Sequence, residues 1–149
     1  CIGLRFFTVY GPYGRPDMTP YLFLDNYNKK KKIKIFNHGK NERDYTYIDD
    51  VIEVIFKLLH KKKNMKTSQN YEIYNIGNNQ PEKLSNYIKI LENEIGKKIR
   101  KKKISKQKGD VQKTFADIKK ITSITNYRPK INLKLGLKNF VYWYNNYHK

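Results

Sequence analysis

Two short runs constrain this chain more than anything else in it. Residues 4–10 (Leu-Arg-Phe-Phe-Thr-Val-Tyr) are β-branched and aromatic with little alternation, the pattern of a parallel strand covered on both faces. Residues 71–76 (Tyr-Glu-Ile-Tyr-Asn-Ile), closed by Gly77-Asn78-Asn79, read as a second central strand. Parallel strands need crossovers, and helical spacing supplies them. Residues 19–28 carry Tyr21, Leu22, Leu24 and Tyr27, with Pro20 in the first turn. Asp49 or Asp50 is expected to cap a helix whose apolar face is Val51, Val54, Ile55, Leu58 and Leu59. Pro81 opens a helix with Leu84, Tyr87, Ile88, Leu91 and Ile95, ended by Gly96. A short helix over 116–124 stops before Tyr127-Arg128-Pro129, and a last one over 133–147 turns Leu137, Phe140, Val141 and Tyr144 inward. Residues 33–36 and 44–48 make two shorter strands. The class is α/β, but the strands are too few to close a doubly wound sheet. The two central strands lack neighbours, and Cys1-Ile2-Gly3-Leu4-Arg5 reads as the start of a strand, without Met or a signal-peptide pattern. The expectation is therefore a piece of a larger fold.

Charge is the second strong feature. The 149 residues hold 32 Lys and Arg against 13 Asp and Glu, a net charge of +19. Read alone, this points to nucleic acid or an anionic membrane surface. Two facts weigh against that. The cations are nearly all Lys, whereas base reading and bidentate phosphate contacts favour Arg. Lys, Asn, Ile and Tyr together make up about half the chain, and all four have AT-rich codons, so codon drift accounts for the composition. The run 29–32 reads as a solvated helix end, 97–108 as an exposed strand or loop, and His60 to Lys63 as a basic helix end leading into a polar loop through Gln69. No apolar run reaches the roughly 18 residues a membrane helix needs. Cys1 is the only cysteine, which excludes an internal disulfide framework and fits a reducing, cytoplasmic setting. His38, His60 and His148 have no metal-ligand spacing, so no metal is expected.

Specific blocks carry more. The run Gly3-Leu4-Arg5-Phe6-Phe7-Thr8-Val9-Tyr10-Gly11-Pro12-Tyr13-Gly14-Arg15-Pro16-Asp17-Met18 resembles a signature of the extended short-chain dehydrogenases that act on nucleotide sugars. Thr8, where most of that family has Asn, and the following Gly-Arg-Pro-Asp-Met are the variant of the UDP-glucuronate 4-epimerases. Four further blocks agree in order: Asn37-His38-Gly39-Lys40 with Arg43-Asp44-Tyr45-Thr46-Tyr47-Ile48-Asp49-Asp50; Tyr74-Asn75-Ile76-Gly77-Asn78; Gly109-Asp110-Val111 with Thr114 and Ala116-Asp117; and residues 136–144. One departure is Lys108, where the family usually has Pro before Gly-Asp.

The resemblance implies the C-terminal part of such an enzyme over residues 1–149: an incomplete Rossmann sheet plus a small α/β substrate-binding domain. It implies NAD as cofactor, a UDP-sugar as partner and a homodimer at full length. Arg15, in a Gly- and Pro-rich loop past a parallel strand, would clamp a diphosphate or carboxylate through two parallel bonds; the alternative is a surface arginine. Arg43 would reach the nucleotide's ribose and diphosphate, or else pair with Asp44 or Glu42. Thr8 would meet the sugar carboxylate, or bond to backbone. Phe36 would form part of the uracil pocket, or simply fill core. Asp110 would accept from the ribose hydroxyls, or serve only its turn. Phe7 would approach the nicotinamide, or pack inside.

The family's chemistry needs a Gly-rich phosphate loop and a Tyr-x-x-x-Lys pair near Ser or Thr, the tyrosine taking a hydroxyl proton while hydride passes to NAD. No Gly-x-x-Gly-x-x-Gly occurs in these residues. Tyr27-Asn28-Lys29-Lys30-Lys31 matches the pair by count, but it follows the Arg-Phe-Phe strand, whereas the family's pair precedes it. No catalytic residue is therefore assigned here; that base is expected upstream. Asp49-Asp50 is read as helix-start chemistry, not as an acid/base pair. The reading is a UDP-glucuronate/UDP-galacturonate 4-epimerase portion; the alternatives are another nucleotide-sugar 4-epimerase or 4,6-dehydratase, and a basic nucleic-acid-binding module.

Overall fold

The computed structural model describes residues 1–61 and 71–148, so Lys62, Lys63 and the expected polar loop through Gln69 lie outside the described residues. The described residues build seven short strands and five helices. In order they are β1 (Ile2–Phe6), β2 (Thr8–Tyr10), α1 (Thr19–Asn28), β3 (Ile33–Ile35), a 3-10 turn (Phe36–Gly39), β4 (Glu42–Tyr47), α2 (Ile48–His60), β5 (Glu72–Ile76), β6 (Pro81–Lys83), α3 (Leu84–Ile95), β7 (Lys101–Lys103), α4 (Lys119–Thr125) and α5 (Leu133–Tyr147).

The expected single strand over 4–10 is two strands. β1 pairs in parallel with β5, Leu4 opposite Tyr74, and β2 pairs in parallel with β4, Thr8 opposite Tyr45. Phe7 is the break. Its N–H still donates to the Ile76 carbonyl at 3.1 Å, while its own carbonyl accepts from the Val9 N–H at 2.8 Å. The chain thus leaves one sheet and enters the next within one residue. Nor is β1 covered on both faces, since Ile2 and Phe6 are 40% and 49% exposed. Among the described residues only β5 lies along it.

Three small sheets result: β1–β5, β2–β4–β6 and β3–β7. β6 runs antiparallel to β4, with Asp44 opposite Pro81. Pro81 therefore sits in an edge strand instead of a helix's first turn, a place where its missing N–H leaves no ladder bond unmade. α3 starts three residues later, at Leu84. α4 runs over Lys119–Thr125 and ends in a left-handed Asn126, ahead of the Arg128-Pro129 stop expected for it.

Two cores flank the middle sheet. Tyr10, Phe23, Leu24, Ile35, Tyr45, Tyr87, Leu91, Leu137 and Phe140 tie α1, α3 and α5 to β2, β3 and β4. Val51, Val54, Leu58, Tyr74, Ile76, Ile121 and Tyr127 tie α2 and α4 to β5. Leu59 does not join the inner face of α2; it is 76% exposed. Asp50 does not cap that helix either. The N-cap position is Tyr47, and no side chain caps it. The Asp50 carboxylate is buried and accepts the Lys130 and Ile131 N–H groups, both at 3.1 Å, pinning the segment that leads into α5. Asp49 and Asp50 still place negative charge in the first turn, where the helix dipole favours it.

Candidate functional site

The C-terminal ends of β1 and β5 meet the start of β2 where the chain changes sheets, the kind of crevice in which open α/β sheets bind ligands. Side chains alternate along β4, so Arg43, Tyr45 and Tyr47 share one face and Asp44 and Thr46 the other. The register of β2 on β4 puts Thr8 beside Tyr45, on the Arg43 face and two positions from Arg43. Thr8 is half-buried, and its hydroxyl has no hydrogen-bond partner among the described residues, so the backbone-bonded alternative is not what forms. Phe7, one residue earlier, is half-buried at the break itself.

Arg43 and Asp110 are brought together. The guanidinium Nη2 lies 2.6 Å from Asp110 Oδ1, and Nη1 donates to the Glu42 carbonyl at 2.8 Å. Neither the Asp44 nor the Glu42 carboxylate takes it; Glu42 pairs with Lys113 instead. The second Asp110 oxygen accepts from Asn41 Nδ2 at 2.5 Å, and Asn41 Oδ1 accepts from Asn37 Nδ2 at 2.6 Å. A chain of polar contacts therefore runs Asn37, Asn41, Asp110, Arg43. Asp110 also closes a turn, its N–H donating to the Gln107 carbonyl across a left-handed Gly109, so turn and carboxylate roles coexist. Asn37 and Asn41 were not singled out from sequence as members of a site. The available signal is their placement on either side of the His38-Gly39 turn, with Asn41 only 5% exposed, a burial that demands polar partners.

The turn carrying Asn37 is strained. Asn37, His38 and Gly39 all have positive φ, at 47°, 54° and 79°, and two of them are not glycine; such backbone costs on the order of 1–3 kcal/mol per residue and concentrates at functional sites. Phe36 begins this turn, half-buried and outside both core clusters.

Arg15 is placed apart. It lies on the loop after β2 and forks onto Asp17, with Nε at 3.0 Å and Nη2 at 2.5 Å. Both side chains are exposed, at 75% and 61%, and no bond joins Arg15 to Thr8 or Arg43 among the described residues. The hydrogen bond from Arg15 holds the Asp17 carboxyl below the usual carboxylate range. The loop's shape depends on Gly11, whose φ is 139° and whose added Cβ would stand 2.5 Å from Ile48 Cγ2.

Asp44, on the opposite face of β4, holds the surroundings in place. It is fully buried, and its carboxylate accepts the N–H groups of Asn78 at 2.7 Å, Asn79 at 3.0 Å and Ala116 at 2.9 Å. Its own N–H donates to Thr114 Oγ1 at 3.0 Å. Two segments far apart in sequence, 78–79 and 114–116, are thereby fixed to the strand beside Arg43. The arrangement is equipped to bind anionic and hydroxyl groups: one shared guanidinium, one shared carboxylate, two amides and a free-standing hydroxyl. Tyr27 is elsewhere, in the last turn of α1 beside Lys30 and Lys31. Among the described residues no helix is long and apolar enough to cross a membrane.

Residues 1–77 match the model of the NAD dependent epimerase/dehydratase family. The chain is 40% identical over 141 residues to the UDP-glucuronate 4-epimerase of Thermodesulfobacterium geofontis, covering 94% of this chain and 42% of that protein. It is 39% identical over 157 residues to UDP-glucuronate 4-epimerase 4 of Arabidopsis thaliana, covering 98% and 36% respectively. Among solved structures, the UDP-glucuronic acid 4-epimerase of Bacillus cereus in complex with UDP-glucuronic acid and NAD superposes with a TM-score of 0.87 at 33% identity, over 97% of this chain and 45% of that one. The chain thus spans less than half the length of these relatives.

Proposed function

The chain belongs to the NAD dependent epimerase/dehydratase family, and from that membership we propose that it is the nucleotide-sugar-binding portion of a UDP-glucuronate 4-epimerase. In this reading residues 1–149 act within a longer protein that interconverts UDP-glucuronate and UDP-galacturonate at C4, as a homodimer in the cytoplasm. The observation that carries it is the Arg43–Asp110–Asn41 network beside Thr8 at the point where the chain changes sheets.

Each residue has a task there. Arg43 turns its guanidinium to the diphosphate, and Asp110 accepts from the ribose hydroxyls once ligand shares their contact. Phe36 offers a stacking face to uracil. The Thr8 hydroxyl donates to the sugar carboxylate, and Arg15 exchanges Asp17 for an anionic group of the ligand, by the same two-pronged geometry. NAD, when bound, supplies the hydride acceptor and donor of the family's chemistry. This chain's residues fit one edge of it, through the half-buried Phe7, and contain no Gly-rich phosphate loop. The general base likewise belongs to the longer protein, so the 149-residue chain alone is expected to turn over no substrate.

Titration of the chain with UDP-glucuronate and UDP-glucose, followed by amide chemical-shift changes, tests this. Loss of a charge-assisted contact weakens binding roughly 10- to 100-fold (about 1.5–3 kcal/mol), so Arg43→Ala and Asp110→Ala are expected to lose most affinity for both ligands. Thr8→Val is expected to reduce the preference for the uronate selectively. Shifts remote from Asn41, Arg43 and Asp110, or unaltered affinity in Arg43→Ala, would overturn the assignment.

A further inference from the structure

The strongest feature outside that site is a cationic pocket at the C-terminal end of α1. It has a volume of about 240 Å³ and is lined by Tyr27, Lys30, Lys31, Lys98 and Arg100. Four cations meet there, and no lining residue is acidic. The nearby buried carboxylate, Glu92, is committed to Lys101 at 2.6 Å and lies 3.5 Å from Lys98. Lys30, Lys31 and Arg100 form no ion pair among the described residues. The neighbouring edge adds repulsion, because Lys34 of β3 stands directly opposite Lys102 of β7, and like charges in register destabilise a sheet.

The backbone supplies an independent observation. The Lys31 N–H donates to the Asn26 carbonyl at 2.8 Å and the Lys30 N–H to the Tyr27 carbonyl at 3.0 Å. That pair of bonds is the helix-ending motif whose left-handed residue is normally glycine. Here the left-handed residue is Lys30, with φ 55°. A side chain at a position that favours having none is a strained choice, and such strain marks function when the side chain faces a site. Codon drift explains many lysines, but it does not explain why this one holds the conformation that glycine suits.

We propose that this pocket is a second anion site, distinct from the nucleotide-sugar site, that takes a compact oligophosphate group. The volume falls below the roughly 300–1,000 Å³ of pockets built for whole drug-sized ligands, so a phosphate group fits the size better than a complete nucleotide. Three lysines are point charges suited to phosphate oxygens, and Arg100 adds a fork. A single aromatic, Tyr27, does not make the series of stacking faces that single-stranded nucleic acid uses. The phosphate group can be free or the tail of a nucleotide, and the experiment separates the two.

The test is calorimetric titration of the chain with inorganic pyrophosphate at 0.15 M salt, in the parent and in Arg43→Ala, which disables the nucleotide-sugar site. One saturable pyrophosphate site is expected in both backgrounds, so failure here and failure of the UDP-sugar reading are told apart. Lys31→Gln and Arg100→Gln are expected to weaken it at least tenfold. The charge-matched pair Lys134→Gln/Lys138→Gln, on exposed positions of α5, is expected to change it less than twofold. Lys30→Gly is the decisive variant: it is expected to raise the melting temperature by relieving the backbone while weakening pyrophosphate at least fivefold. Uridine diphosphate competing for this site in Arg43→Ala would identify a nucleotide tail as the ligand; failure to compete would identify the free anion. No saturable binding at this salt, or equal losses from the α5 pair, would overturn the proposal.

Discussion

Asp44 is expected to be the most sensitive single position in the chain, and its three contacts allow the cost to be worked out. Alanine there removes the acceptor for the N–H groups of Asn78, Asn79 and Ala116 at a position that itself has no exposed surface. Hydrogen bonds to a charged group contribute about 1.5–3 kcal/mol each. Even at the low end, three amount to about 4–5 kcal/mol, set against a total stability of roughly 5–15 kcal/mol for a domain. Asp44→Asn is milder. Asn79 and Ala116 share Oδ2 while Asn78 uses Oδ1, so an amide oxygen at the Oδ2 position keeps two bonds. The amide NH₂ then faces the Asn78 N–H, and about 1–3 kcal/mol is lost. Urea unfolding followed by circular dichroism, with the slope checked for constancy, should rank the chains parent, Asp44→Asn, Asp44→Ala. The reasoning is refuted if Asp44→Ala stays within about 1 kcal/mol of the parent. It is also refuted if asparagine costs as much as alanine, since the loss would then follow the charge and not the count of bonds.

Two further outcomes follow from buried polar groups. The Tyr10 hydroxyl is buried without a partner, and burial, with Tyr47 and Asp50 adding to it, pushes its pKa far above the usual tyrosine value; Tyr10→Phe should therefore be neutral or stabilising by up to about 1 kcal/mol, and a fall in melting temperature would contradict this. Burial pushes the Glu92 carboxyl upward, but hydrogen bonds from Lys101 and the Ile99 N–H, with the charges of Lys101 and Lys98, outweigh it and leave its pKa lowered. A lowered folded pKa means stability that is present above the ordinary carboxylate range and is lost as pH falls through the folded value. Glu92→Gln should accordingly lower the melting temperature at pH 7 and converge with the parent in acid; a constant offset down to pH 2 would refute the linkage.

The α/β class and all five helices were legible from periodicity and turn residues. What periodicity could not show was pairing. Residues 4–10 read as one strand because the apolar run is continuous, yet Phe7 bonds to Ile76 on one side and to Val9 on the other, and only tertiary partners reveal that exchange. Pro81-Glu82-Lys83 looked like a helix start because proline favours a first turn; the unfilled edge of β4 claimed it instead. Asp50 looked like a cap because of its place in the sequence, whereas its acceptors' partners lie 80 residues away, at Lys130. Arg43 and Asp110 each stood out in the sequence, but their contact with each other, and that of Asp110 with the buried Asn41 amide, depends on the β7-to-α4 loop folding back onto β4.

The register of β4 is what makes a site out of these pieces. Alternation along the strand sends Arg43 to the side of the proposed ligand site and Asp44 to the side that anchors loops. A slip of one residue would exchange them, placing a guanidinium against three N–H donors and a carboxylate where an anion is to bind. Two edges oppose that slip. β2 fixes β4 in parallel through Thr8, Val9 and Tyr10, and β6 fixes it antiparallel through Pro81, Glu82 and Lys83. The late loop adds a third tie, since Glu42 exchanges backbone bonds with Gln112 and Thr114. Asp110 lies two residues before the first of those bonds, so the same tie that holds the strand delivers its carboxylate to Arg43. The structural role of Asp44 and the proposed ligand-binding role of Arg43 thus fall on adjacent residues of one strand, so the stability of Asp44 variants and the affinity of Arg43 variants are expected to be separable quantities.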